Sequence, residues 1–413
     1  MKKTIVFISH RYINNYDFAS FSENDRLVAI ILDSCKNLFP TDKKKYFSFI
    51  YTIPHPSNNS GPLIKFDYND VKSILLKELK KTNKSDLNLI CIDEVNLILA
   101  GQLRDELGLP GPKESELLKF QDKILMKESL PGSLIPLPIF TKFDRNEVEK
   151  NPKIYFNSLK RKLGDKFILK PTRYTGSFGV FLIHNYDEFT NFLNSGNHLK
   201  YEYEADQFIN GALYHSDIAL KNGEVIFADC CKYSCPNLEF SFGKIIASLV
   251  LNPKDPLKQD LISTSLKSLT ALGLMSGTFH AELFVTPNNE IYFLEVAARP
   301  AGGLVAFMYE KLTGINLFTL DLLIALNREI PDFKYPDIHC LQALVPINQE
   351  TIKQFKKIKF RSDIEIEWLI DPNNIPKNTS QSVVEIAAKL LLTCKDYSNI
   401  KHDFEALSSC FPR

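Results

Sequence analysis

Over residues 1 to about 115, apolar positions fall into short continuous runs separated by stretches with helix-like spacing. Thr4–Ser9, Tyr46–Ile53 and Leu87–Ile92 have the length and density of buried strands, and the last of them stops at Asp93-Glu94. Phe21–Leu38 sets Leu27, Ile30, Ile31 and Leu38 at helical spacing, and Val71–Leu79 and Val95–Leu107 also read as helices. Strands alternating with helices at this interval predict a parallel α/β sheet. Gly108-Leu-Pro-Gly111-Pro112 is a stiff turn that ends the first unit.

Beyond it a helix is expected from Glu114 to about Leu130, closed by Pro131, Pro136 and Pro138. Phe167-Ile-Leu-Lys170-Pro171 is a buried strand that stops at its proline, and Val180–His184 is a second strand after the intervening loop. Residues 201–300 read mostly as strands with one helix at about 256–272, and Gly302–Asn327 reads as helical. The tail mixes strands with a final amphipathic helix at Val383–Leu392. Four units are expected, with bounds 1–113, 114–203, 204–330 and 331–413.

Composition narrows the function classes. An apolar share of 44% with 24% charged residues excludes a disordered or fibrous chain. Lys and Arg total 50 against 49 Asp and Glu, so there is no electrostatic footprint for nucleic acid or an anionic membrane. The run Ile5–Ile8 is too brief for a signal-peptide core, and no stretch approaches the ~18 apolar residues of a membrane span. A soluble, cytoplasmic protein is the expectation. Of eight cysteines only Cys230, Cys231 and Cys235 cluster, without the partners a zinc site needs, so structural or free thiols are expected.

Three constellations carry chemistry. Lys170 stands at a strand end before Thr172-Arg-Tyr-Thr175-Gly176-Ser177-Phe178-Gly179-Val180. Such a loop can fold backbone N–H groups over an anion that the ammonium neutralises, or it can be a Gly-rich hairpin turn. Second, His280-Ala-Glu282-Leu-Phe and Ile291-Tyr-Phe-Leu-Glu295-Val flank the turn Pro287-Asn-Asn-Glu290. A four-residue loop there sets Glu282 opposite Glu295, which is costly unless a cation such as Mg²⁺ lies between them. The alternatives are that one glutamate faces solvent, or that the loop differs by one residue and the register moves. Third, Arg299-Pro-Ala-Gly302-Gly303 at a strand-to-helix junction offers a planar guanidinium and open amides to phosphate or carboxylate, or it is a surface arginine before an ordinary cap.

The order Asp122-Lys123-Ile-Leu-Met-Lys127, Lys170-Pro171 with its loop, Asp206-Gln-Phe-Ile-Asn-Gly211, Glu282 and Glu295-x-x-x-Arg299-Pro resembles the ATP-grasp superfamily. Within it the amino-acid and dipeptide ligases, of the bacilysin-synthetase or carnosine-synthase kind, are most similar. The resemblance spans the first strand to about residue 327. It implies an ATP-grasp fold (α/β, with α+β character in the nucleotide-binding part) behind an N-terminal Rossmann-like domain, and an ATP-dependent carboxylate–amine ligase working through an acyl phosphate. By the same resemblance, residues 114–203 would be the lid subdomain, 204–330 the metal-bearing subdomain and 331–413 a C-terminal α/β extension. Lys123 and Lys170 would contact the phosphates of ATP, with Thr175, Gly176, Ser177 and Gly179 in the mobile loop over them. Asp206, Gln207, Phe208 and Ile209 would form the hinge, Gln207 and Ile209 offering backbone groups to adenine. Glu282 and Glu295 would hold Mg²⁺, and Arg299 would stabilise the transferring phosphoryl group. A homodimer is compatible with this family.

Three positions depart from the superfamily pattern. Ala297 stands where many members have Asn, Asp206 where the hinge residue is usually Glu, and Leu213 where a second Glu is frequent. Ribose contacts must then come from elsewhere. A different acceptor, as in carboxylation or nucleotide-precursor ligation, and an ATP-binding regulatory protein are the competing readings. His215, His280 and Glu239 are candidate general bases.

Overall fold

The computed structural model describes residues 2–9, 13–18, 21, 23–55, 65–132, 134–380, 383 and 385–412. Among these residues the strands form three sheets. The first is parallel, in the order β3-β2-β1-β4, from β1 (Thr4–Ile8), β2 (Arg26–Leu32), β3 (Phe49–Ile53) and β4 (Leu87–Cys91). Its strands are covered on both faces. Leu27, Ala29 and Ile31 join one core with the helices Val305–Thr313 and Leu317–Ala325, while Val28, Ile30 and Leu32 join another with Tyr68–Leu79 and Leu97–Leu107.

That double burial explains one correction: Phe21–Leu38, expected as a helix, supplies the central strand β2 followed by a 3₁₀ turn at Asp33–Leu38. A strand buried on both sides reads as an unbroken apolar run, and periodicity cannot separate it from a buried helix. The expected helix from Glu114 is likewise two helices, Glu114–Gln121 and Lys123–Glu128. Asp122 leaves the helical conformation (ψ 109°) and its carboxylate caps the second helix through the amides of Ile124 and Leu125.

The second sheet is antiparallel, in the order β5-β8-β6-β7, from β5 (Phe140–Lys142), β6 (Phe167–Pro171), β7 (Phe181–Ile183) and β8 (Tyr203–Gln207). Phe167, Leu169, Ile183, Tyr203 and Ala205 pack on the helices Pro152–Leu163 and Tyr186–Asn194. Strand alternation therefore sends Lys170, Glu204 and Asp206 to the opposite face. Because β8 pairs within this sheet, a boundary at 203/204 falls inside one of its strands.

The third sheet has eight antiparallel strands in the order β13-β12-β9-β10-β11-β14-β16-β15. These are β9 (Ala212–Lys221), β10 (Glu224–Tyr233), β11 (Ile246–Val250), β12 (Gly277–Val285), β13 (Ile291–Ala297), β14 (His339–Pro346), β15 (Asp363–Trp368) and β16 (Ile386–Cys394). The expected helix at Val383–Leu392 is thus a correction, since Ile386–Cys394 is a strand between two others, while Val384 lies outside the described residues. Its Ala- and Leu-rich run suits a helix by propensity, but cross-strand burial on both sides decides the outcome. The terminal helix is Tyr397–Ser408, capped by Asp396. No described helix is long and apolar enough to cross a membrane.

Candidate active site

A cavity of about 1050 Å³ lies where the second and third sheets face each other, with Glu94 at the end of the first sheet on its wall. Lys123, Lys170, Thr175, Gly176, Ser177, Asp206, Gln207, Phe208, Ile209, Glu282, Glu295 and Arg299 line it, while Gly179, expected in the same set, lies between two lining residues, Phe178 and Val180.

Glu282 and Glu295 are register partners, but not by the expected route. Thr286 pairs with Glu290 (N···O 3.0 Å) and Asn289 has φ +62°, so the hairpin loop is Pro287–Asn289, three residues rather than four. That loop alone would bring Leu294 opposite Glu282. A β-bulge absorbs one residue: Leu283 pairs with Phe293 while Glu282 pairs with Glu295, leaving Leu294 as the extra residue. The Glu282 carboxylate accepts from Asn237 Nδ2 at 2.9 Å and from Tyr233 Oη at 3.3 Å, and Glu295 Oε2 is 3.3 Å from Lys123 Nζ.

The break at Asp122 positions Lys123. Its backbone N–H donates to Thr172 O (3.0 Å), and its ammonium donates to Tyr174 O (2.7 Å), tying the second helix to the glycine loop. The loop joins antiparallel neighbours β6 and β7, so it is a hairpin connection that also roofs the cavity. Gly176, Ser177 and Gly179 all have positive φ. At Gly179 a Cβ would sit 2.9 Å from Tyr203 Oη and 3.0 Å from Pro171 Cγ, so only glycine fits.

Lys170 meets a partner set that sequence reading did not identify. Its ammonium is 2.9 Å from Asp206 Oδ2 and 3.3 Å from Glu204 Oε1, while the fully buried Lys127 donates to Asp206 at 2.6 Å and Glu204 at 3.0 Å. Burial lowers Lys127, and the neighbouring Lys170 lowers it further. Burial also opposes a charged Lys170, yet Asp206, Glu204 and Glu295 together raise it. Of the two acids, Glu204 is raised by burial and by Asp206, whereas the lysines hold Asp206 low despite its burial. The available signal was that Lys127 lies four residues after Lys123, on one side of a helix. Gln207 uses its backbone N–H on Ile139 O (2.7 Å), so that group is not offered to a base; Phe208 stacks under Lys166.

Arg299 is held by Glu94, which accepts from its Nε at 2.9 Å. Glu94 follows the carboxyl end of β4, where parallel sheets place ligand contacts, a signal the Asp93-Glu94 strand end already carried.

Among the candidate bases, His215 is fully buried with Nδ1 2.7 Å from Asp217 and Nε2 3.1 Å from Ser248 Oγ, and it does not line the cavity. His280 lines it, with Nδ1 2.8 Å from Asp217 and Nε2 3.6 Å from Glu282. Burial would lower His280, but Asp217 and Glu282 outweigh it and raise it to about 9. Glu239 lines the cavity paired with Lys244. His215, Asp217 and His280 are close enough to ligate one ion, but each Asp217 oxygen already accepts from an imidazole. The eight cysteines are free thiols, and burial pushes Cys235 up to about 12.

The raised His280 has a consequence for stability. A folded value of about 9 against an ordinary 6.5 contributes roughly 3 kcal/mol, fully present below pH 6.5 and lost as pH rises through about 9. In metal-free buffer, His280→Gln is expected to flatten the fall in melting temperature between pH 6.5 and 9. An unchanged profile would contradict the assignment.

The fold is shared with known proteins. The structure of the L-amino acid ligase from Bacillus licheniformis superposes with a TM-score of 0.72, covering 99% of this chain and 97% of that one at 15% identity. This chain has the ATP-grasp fold. Another ATP-grasp structure, N5-carboxyaminoimidazole synthetase from Staphylococcus aureus complexed with ADP, gives a TM-score of 0.67 over 99% of this chain and 98% of that one, at 15% identity. In sequence, the ATP-grasp chain is 26% identical over 351 residues to the L-arginine-specific L-amino acid ligase of Bacillus subtilis, covering 81% of each. No family model matches it.

Proposed function

We propose that the chain is an ATP-dependent ligase that joins a small carboxylic acid, an amino acid in this reading, to an amine through an acyl phosphate. The observation that carries the reading is the Glu282–Glu295 pair, facing across β12 and β13 with Lys123 at its edge. The curated and structural L-amino acid ligases, and the ADP complex among the structural neighbours, support it.

Two carboxylates in register repel, and their hard oxygens suit a divalent cation shared with phosphates. Glu282 and Glu295 would hold Mg²⁺, which would neutralise charge on the transferring phosphoryl group. Lys123 and Lys170 contact the phosphates, Thr175, Gly176, Ser177 and Gly179 close over them, and Asp206, Gln207, Phe208 and Ile209 border the base. The antiparallel β5–β8 sheet is then the lid, the eight-stranded sheet bears the metal, and the parallel sheet lends Glu94 to the substrate end. The substrate carboxylate oxygen attacks the γ-phosphorus and ADP leaves. Arg299, exchanging Glu94 for the new anion, stabilises the acyl phosphate. The amine then attacks the carbonyl carbon, phosphate departs, and the loop excludes the water that would hydrolyse the intermediate.

The test is phosphate release from Mg·ATP with amino-acid pools, one containing arginine. Pool-dependent release supports the ligase. ATP binding without turnover in any pool would favour a regulatory nucleotide binder, and no ATP binding would refute the reading.

A further inference from the structure

Beneath the cavity floor runs a chain of buried polar groups that nucleotide and metal binding leave unused. Gln342 on β14 donates from Nε2 to Ser248 Oγ on β11 at 3.1 Å. Ser248 Oγ is 3.1 Å from His215 Nε2 on β9, and His215 Nδ1 is 2.7 Å from Asp217. All four side chains are at most 2% exposed. An ionised Asp217 only accepts, so the His215 ring donates to it from Nδ1. The Ser248 oxygen accepts from Gln342 Nε2, which turns Gln342 Oε1 away from the chain.

That oxygen is buried and has no hydrogen-bond partner. Leaving such an acceptor empty is costly, so an unfilled one on a cavity wall points to a donor absent from the protein itself. Oε1 faces the turn before the helix Val305–Thr313: a Cβ at Gly303 would lie 3.4 Å from it, and around Gly302 there is open space. Gly302, Gly303, Gln342 and Arg299 line the same cavity.

We propose that Gln342 Oε1 and the Gly302–Gly303 turn form the subsite that recognises the amino group of an α-amino-acid substrate. The oxygen accepts an N–H of the substrate, whose carboxylate extends toward Arg299 and the first amides of the helix. Ser248 is a positioning residue: it holds the Gln342 amide with its oxygen toward the Gly303 turn. The inference rests on the ligase reading for which substrate is bound, and its test does not depend on turnover.

The common L-amino acids are screened singly, without ATP, by thermal shift and then calorimetry on wild type, Gln342→Met, Gln342→Glu and Ser248→Ala. For each amino acid that binds, its N-acetyl and des-amino analogues are compared. Wild type is expected to bind the amino acid and to lose about tenfold in affinity for either analogue. Gln342→Met should lose a similar factor, Ser248→Ala less, and Gln342→Glu should bind at least as tightly as wild type. Mg·ATP affinity, measured alongside, should be the same in all four. Equal binding by wild type and Gln342→Met overturns the proposal, as does absence of any binding to wild type. Gln342→Glu weakening binding would mean that the wall donates to a carboxylate, which also overturns it. Phosphate release in the presence of the same amino acid tests the ligase reading separately.

Discussion

Glu295→Gln is expected to lower ATP-dependent phosphate release by roughly 10²–10³-fold, the scale seen when one preorganised charge-stabilising group is removed. The substitution keeps size and hydrogen-bonding capacity, so its effect isolates charge. Glu295 is register partner to Glu282, and in the absence of a cation the two repel. Its ion pair with Lys123 at 3.3 Å is partly exposed, with the glutamate side chain 31% accessible, and such pairs contribute little. Metal-free Glu295→Gln should therefore melt close to the wild-type temperature, relief of the repulsion with Glu282 offsetting the lost contacts to Lys123 and Lys170, while activity collapses. A residue with a merely structural role would move both in the same direction. Activity within about threefold of wild type, with an unchanged Mg²⁺ dependence, would remove the pair from the mechanism.

Lys127→Met is expected to destabilise the fold by about 3–5 kcal/mol, the cost of removing one partner from a buried ion set. Lys127 has no exposed side-chain surface and contacts both Glu204 and Asp206. Glu204 Oε2 is already without a partner. Removing the ammonium leaves two buried acids against Lys170 alone. Glu204, whose carboxyl burial already raises, would take up a proton, so the penalty should shrink as pH falls and grow as pH rises. Lys127→Met combined with Glu204→Gln should recover much of the loss in urea unfolding. Additive effects of the two substitutions would show that they do not share one network.

Much of the site was legible because its signals are local. Lys170 before a loop containing Gly176 and Gly179, and two glutamates flanking a short turn, are patterns within a few residues of one another. The register shows how narrow that success was. Sequence reading assumed a four-residue turn, the chain makes a three-residue one, and only the bulge at Leu294 restores the Glu282–Glu295 pair. Two independent local choices cancel, and neither the turn's left-handed Asn289 nor the bulge is written in the apolar pattern.

The elements that were misread share one cause. Leu27–Leu32 and Ile386–Cys394 are strands buried on both faces, so their apolar residues carry no alternation. At Ile386–Cys394 local propensity also favoured a helix, and pairing with strands elsewhere in the chain overrode it.

By itself, then, the sequence determined three of the first unit's four strands and the helices at Val71–Leu79 and Val95–Leu107, and it singled out Lys170, Glu282, Glu295 and Arg299 by residue type and short-range spacing and Lys123 by family resemblance. The tertiary structure alone decided what those groups touch. Lys127 reaches Glu204 and Asp206 across 77 and 79 residues, and Arg299 reaches Glu94 across 205. The Gln342–Ser248–His215–Asp217 chain crosses β14, β11 and β9. Such contacts depend on how sheets are ordered and which faces meet, and a pattern read along one chain contains no term for either.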